Sequence, residues 1–185
     1  SVAGHSLGEY SAYTIAGSFD FETGLKIVKV RANSMQNAGE DQPGTMAAII
    51  GLDDETVMKI TDNISGTVVV ANFNSPGQVV ISGAIEAVNS AMTAAKESGA
   101  RMVIPLNVSG AFHSPLMSSA REHFAEMIDS IEISNSMIPV YSNVSAAPVT
   151  RASEIREAMI NQLETPVLWS QTISNMARSG IDHFM

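Results

Sequence analysis

The residues that could do chemistry stand at the front of the chain. Gly4-His5-Ser6-Leu7-Gly8 matches G-x-S-x-G, the pattern of a nucleophile elbow, in which a strand turns sharply into a helix and leaves the serine hydroxyl at the apex. Glycines on either side of Ser6 suit a turn too tight for side chains. A serine hydroxyl attacks only when a base takes its proton, so Ser6 needs a histidine. The sequence offers four. His5 adjoins the serine, but neighbouring side chains diverge at a sharp turn, which makes it structural or a pocket wall. His123 falls inside a helical stretch and His183 at the end of the chain, positions that suit surface or packing roles. His113 lies in "NVSGAFHSPLM", a glycine-containing loop between a strand and a helix, where functional side chains are commonly presented. It is the expected base. Arg31 sits on an apolar-rich helix; taken alone it reads as a solvated or salt-bridged helix arginine.

Bulk properties bound what can hold these residues in place. With 185 residues, 45% of them hydrophobic, and a mean hydropathy of +0.12, the chain suffices for one large domain or two small ones with a real core. No apolar run approaches the roughly 20 residues that span a bilayer, and the N-terminus lacks the basic-then-apolar order of a signal peptide. A soluble, cytoplasmic protein without membrane contact is expected. The absence of cysteine excludes disulfides, thiolate metal sites and a cysteine nucleophile, and fits a reducing compartment. Ten basic residues against 19 acidic ones, a net charge of -9, argue against non-specific nucleic-acid binding.

After the elbow, "GEYSAYTIAGSFDFETGLKIVKVRANSMQNA" carries apolar residues at helical spacing in two stretches split at Gly17-Ser18, with Asp20 placed to cap the second. From Thr45 the texture changes: "TMAAIIGL" reads as a strand, "DDETVMKITDNI" as a helix capped by Asp53 or Asp54, and "TVVVANFN" as a strand. The turn signal Asn74-Ser75-Pro76-Gly77 precedes a strand "QVVISG", a helix "AIEAVNSAMTAAKESG" and a strand "ARMVIPLNV". This is a ferredoxin-like β-α-β-β-α-β block over 45–107. Beyond it, "SPLMSSAREHFAEMIDSI" predicts a helix, "IPVYSNVS" a strand, "ASEIREAMINQLETP" a helix ended by Pro166, "WSQTISNMARSG" a last helix, and "IDHFM" the start of a strand. The expected architecture is α/β: segments 1–44 and 108–185 form one layer carrying nucleophile and base, with the small block inserted between them.

Taken in order, "GHSLGEYSA", "RANSMQ", "GTMAAIIGLDDE", "NFNSPGQVVISG", "GAFHSPLM" and "ETPVLWSQTI" closely resemble the malonyl-CoA:acyl carrier protein transacylases of bacterial type II fatty acid synthesis, and several are shared with acyltransferase domains of polyketide and animal-type fatty acid synthases. The resemblance covers the whole chain. It implies an α/β-hydrolase-like large subdomain interrupted by a ferredoxin-like small one. Ser6 is then the nucleophile, His113 the base, and Arg31 the guanidinium that binds the malonyl carboxylate. Leu7 supplies an oxyanion-hole N–H, and the Gln162 main-chain carbonyl orients the histidine. Asn72 and Asn74 line the cleft, Met35 forms a pocket wall, and Phe112 leaves no room for the extra methyl of methylmalonyl groups.

The same resemblance implies malonyl-CoA as substrate, the phosphopantetheine thiol of acyl carrier protein as acceptor, no resident cofactor or metal, and a full-length monomer. It also implies a chain cut at both ends, lacking an upstream Gly-Gln-Gly-type strand and a downstream Glu-Val-Gly-Pro-Gly segment. On that reading the 185 residues alone are inactive and poorly soluble, while 45–107 folds independently. A malonyl-selective polyketide acyltransferase domain, a serine thioesterase or esterase, and a non-catalytic binding piece are the alternatives.

Overall fold

The computed structural model describes residues 1–184 and shows a mixed α/β fold with two sheets. The first contains three very short strands in the order β1-β6-β7: β1 (Val2–Ala3) lies parallel to β6 (Val140–Tyr141), which pairs antiparallel with β7 (Pro148–Val149). A strand thus does run into the elbow. α1 (Leu7–Ile15) leaves it, and α2 (Phe21–Asp41) follows, capped as expected by the Asp20 carboxylate on the Thr23 N–H. α5 (Ser118–Asp129) and α6 (Ala152–Asn161) complete this layer. Tyr10, Tyr13, Ile27, Phe124, Ile128, Ile155, Met159 and Leu163 form its core.

The second sheet is fully antiparallel. It comprises β2 (Gly44–Ile50), β3 (Val68–Ser75), β4 (Gln78–Ala84) and β5 (Met102–Leu106), in the order β3-β4-β2-β5. α3 (Asp54–Asn63), capped by Asp53, and α4 (Ile85–Glu97) cross over between its strands. Because side chains alternate along a strand, Ala47, Ile49, Val79 and Ile81 pack with Val57, Val88 and Ala91. Met46, Ala71 and Val80 form a separate cluster against Val108 and Phe112. That second face turns the sheet toward the elbow. Val167 seals the junction: its N–H donates to the Ala71 carbonyl and its own carbonyl accepts from the Phe73 N–H, each at 2.9 Å.

Four expectations need correction. Ile181–Phe184, expected to start a strand, form none, and Met185 lies outside the described residues. "IPVYSNVS" pairs only at Val140–Tyr141, because Ser142 and Asn143 leave the ladder and turn toward the elbow. The helix before Pro166 ends earlier, at Asn161, so the following residues are free to reach the site. The helix after His113 begins as a 3-10 turn, Pro115–Met117, capped by Ser114, and α5 starts only at Ser118.

Candidate active site

Ser6 has φ 50° and ψ -108°, a conformation that costs a non-glycine residue free energy and persists only where its surroundings enforce it. The enforcement comes from Asn143, which is fully buried. Its Oδ1 accepts the Ser6 N–H at 2.7 Å, and its Nδ2 donates to the Gly4 carbonyl at 2.8 Å. One amide thereby pins both sides of the turn. Gly4 is required by crowding, since a Cβ there would lie 2.0 Å from the Gly8 carbonyl carbon. Gly8 is not: a Cβ at that position would meet nothing within 4 Å. The expectation of two sterically demanded glycines therefore holds only for the first.

His113 also carries a positive φ, 57°. Its loop can lie against α2 because Gly39 has no side chain; a Cβ there would come within 2.4 Å of the Ser109 carbonyl oxygen. The His113 N–H donates to the Leu163 carbonyl at 3.2 Å. The ring then spans the site, with Nε2 2.8 Å from the Ser6 Oγ and Nδ1 2.8 Å from the Gln162 carbonyl oxygen. Since a carbonyl only accepts, the proton resides on Nδ1 and Nε2 is free to accept the serine proton. Burial, and then the charge of Arg31, push the His113 pKa down to about 4. The ring is neutral at pH 7 and competent as a base.

Arg31 reaches the same oxygen. Its Nη2 donates to Ser6 Oγ at 2.9 Å and to Gln162 Oε1 at 3.1 Å, and its guanidinium carbon lies 5.2 Å from the centroid of the Tyr10 ring. Although only 5% exposed, Arg31 makes no ion pair with any carboxylate among the described residues, and its buried Nε has no hydrogen-bond partner. A solvated helix arginine is thus excluded. A buried, unneutralised guanidinium beside a serine is suited to an anionic acyl group.

Ser6, Arg31 and His113 share a cleft of about 490 Å³ with Met35, Asn72 and Phe112. His5 forms part of its wall; its Nε2 hydrogen-bonds Asn74 Oδ1 at 2.8 Å, and its ring meets Trp169 edge-on. Asn74 therefore stands behind His5 rather than on the cleft surface. Leu7 is the first residue of α1, so its N–H has no intrahelical acceptor and lies at the positive end of the helix dipole. His123 and His183 are exposed, away from the cleft. No group of three or more histidine, aspartate or glutamate side chains converges as a metal-ligand set among the described residues.

Two residues were missed from sequence. Asn143 was hidden inside an expected strand. Glu9 stands three residues after Ser6, the spacing of a helix capping box, which would explain it without further function. In the structure Ser6 makes no side-chain cap and Asn143 takes the Ser6 N–H. Glu9 is instead fully buried, accepting from Tyr13 Oη at 2.7 Å, Gln162 Nε2 at 2.5 Å and the Asn143 N–H at 3.3 Å. Burial pushes its carboxyl up to about 7, against these donors, which favour the anion.

The acyl transferase domain profile matches residues 1–185. The chain is 42% identical over 187 residues to the malonyl CoA-acyl carrier protein transacylase of Bacillus subtilis, covering 100% of this chain and 59% of that one. The solved structure of the malonyl CoA-acyl carrier protein transacylase from Coxiella burnetii is 42% identical with a TM-score of 0.94, over 97% of this chain and 57% of the other. A malonyl-transacylase solved in complex with a type II PKS acyl-carrier protein is 40% identical, also with a TM-score of 0.94, over 97% and 59% of the two chains. The chain spans about three-fifths of the length of these relatives. The profile match extends over every element that builds the cleft, and the chain belongs to the acyl transferase domain family.

Proposed function

We propose that the protein transfers a malonyl group from malonyl-CoA to the phosphopantetheine thiol of acyl carrier protein, through a malonyl-serine ester on Ser6. The observation that carries this reading is the convergence of the His113 Nε2 and the Arg31 Nη2 on one serine oxygen. In the first half-reaction Ser6 Oγ bonds to the thioester carbonyl carbon while its proton passes to His113 Nε2. The C–S bond then breaks, and the imidazolium returns the proton to the departing CoA sulfur. In the second, the carrier thiol gives its proton to His113, attacks the ester carbonyl, and releases Ser6 Oγ, which recovers the proton. Gln162, through its carbonyl, holds the ring in the tautomer both halves require. The Leu7 N–H faces the oxyanion of each tetrahedral intermediate. Arg31 binds the malonyl carboxylate, with Met35, Asn72 and Phe112 shaping the acyl pocket and Asn74 bracing its His5 wall.

The architecture supports a matching division. Segments 1–44 and 108–185 belong to an α/β-hydrolase-like large subdomain, and 45–107 to a ferredoxin-like small one, as the β-α-β-β-α-β order and the β3-β4-β2-β5 sheet suggest. A cytoplasmic setting follows from the substrates, and no helix of the described residues is long and apolar enough to cross a membrane. The relative solved with a polyketide carrier favours, as a second reading, the same reaction serving polyketide rather than fatty acid assembly. Incubation with malonyl-CoA followed by intact-mass measurement tests the proposal: one malonyl adduct is expected, lost in Ser6→Ala. An undiminished adduct in that variant would overturn it. Arg31→Ala is expected to depress malonyl transfer far more than acetyl transfer; equal losses would return Arg31 to a structural role.

A further inference from the structure

Glu9 is a buried carboxylate that the mechanism above does not use, and through Gln162 it is connected to Ser6, Arg31 and His113. Its Oε2 accepts from Gln162 Nε2. The same Nε2 donates to the Ser6 carbonyl at 3.0 Å, and the other end of that amide, Oε1, accepts from Arg31. The backbone carbonyl of the same residue accepts from His113. An ionised carboxylate can only accept, so Glu9 forces the donating end of the Gln162 amide inward and leaves the accepting end to the guanidinium. Were the amide reversed, its NH2 would face Arg31, donor against donor. Tyr13 and Asn143 hold the carboxylate itself from its other side. The capping-box role that would otherwise occupy Glu9 has passed to Asn143.

We propose that Glu9 is a positioning residue for acyl selectivity, which orients the Gln162 side-chain amide so that its Oε1 anchors Arg31 for an anionic acyl group. This rests on the reading of Arg31 as the carboxylate-binding residue. Glu9 touches neither substrate nor reacting atom; it acts through one amide. Removing its charge while keeping its shape frees the amide to rotate and the guanidinium to drift from the serine.

The test, run at about pH 8.5 so that Glu9 is ionised, compares Ser6 acylation by malonyl-CoA and by acetyl-CoA, as initial rates of adduct formation, in wild type, Glu9→Gln, Gln162→Leu, their double variant and Arg31→Ala. Their ratio cancels any loss of folded protein. Glu9→Gln is expected to lower the malonyl-to-acetyl ratio about tenfold, the scale of one hydrogen bond to a charged group. Gln162→Leu is expected to lower it similarly, with no further fall in the double variant, because both act on one contact. A wild-type ratio in Glu9→Gln, or losses that multiply in the double variant, would overturn the proposal while Arg31→Ala still collapses the ratio. Should Arg31→Ala leave the ratio unchanged, the underlying reading fails with it. If Glu9→Gln does not fold, Gln162→Leu decides, and an unchanged ratio there overturns the inference.

Discussion

The four-stranded sheet and the layer around the elbow are both well buried, yet they are built from different materials. Behind the sheet, Ala47, Ile49, Val79 and Ile81 meet Val57, Val88 and Ala91, and the buried polar side chains of that block, Thr61, Asn72 and Ser82, are neutral. The elbow layer buries Glu9, Arg31, His113, Asn143 and Gln162 together. Apolar packing is non-directional and tolerates adjustment, whereas a buried polar network is favourable only when every member meets its partner. The sheet can therefore absorb a change in its packing, while the layer beside it holds a geometry that a single altered donor would disturb.

Removing the base should show the sharpest dependence on one group. His113→Ala is expected to slow Ser6 acylation by about 10²–10⁴-fold, the usual worth of general-base catalysis. Pre-steady-state adduct formation checks it, and near-normal rates would assign the base elsewhere. The apolar block should respond in stability instead. Ile81→Ala, on the central strand between Ala47 and Val70, is expected to cost about 2–5 kcal/mol in denaturant unfolding. It should leave the malonyl-to-acetyl ratio unchanged, and a shifted ratio would show that the two regions are not separable. Asn143→Ala should behave in between. It strands the half-buried Ser6 N–H and Gly4 carbonyl, at about 1–3 kcal/mol, and should also slow acylation because the strained turn relaxes.

The smallest expected effect is in pH. With a pKa near 4, His113 stays neutral well below neutrality, so acylation by acetyl-CoA, which does not call on the Glu9 charge, should hold level down to about pH 5 and fall as protonation proceeds near 4. The Arg31 charge contributes to that depression, so Arg31→Ala should move the acid limb upward. Stability carries two opposed contributions. His113 binds its proton more readily when unfolded, near its ordinary 6.5, so its contribution declines as pH falls from about 6.5 to 4. Glu9, raised from 4.5 to about 7, binds its proton more readily when folded, so its contribution grows as pH falls from about 7 to 4.5. Glu9→Gln removes only the second. Its melting temperature should therefore drop more steeply than wild type between pH 6.5 and 4.5, and parallel curves would place the titration on other groups.

Local pattern sufficed for most elements. Asp20 and Asp53 stand where their carboxylates cap α2 and α3, and short apolar runs bounded by turn signals marked β2 to β5. Ser6 and His113 were legible for the same reason of locality, since a sharp turn and a loop each leave a short signature, whereas Arg31, which alone reads as a solvated or salt-bridged helix residue, was singled out only by the family resemblance. What the chain order could not carry was the set of long-range hydrogen bonds. Asn143 lies 137 positions from the Ser6 amide it accepts, and Gln162 lies 153 from Glu9. Their residue types are ordinary, and their nearest neighbours in sequence explain them adequately as strand, helix end or cap. A buried donor or acceptor is satisfied by whichever group the fold brings within about 3 Å. That choice is made only when the layers close, and it is what turns a serine, a histidine and an arginine into a site.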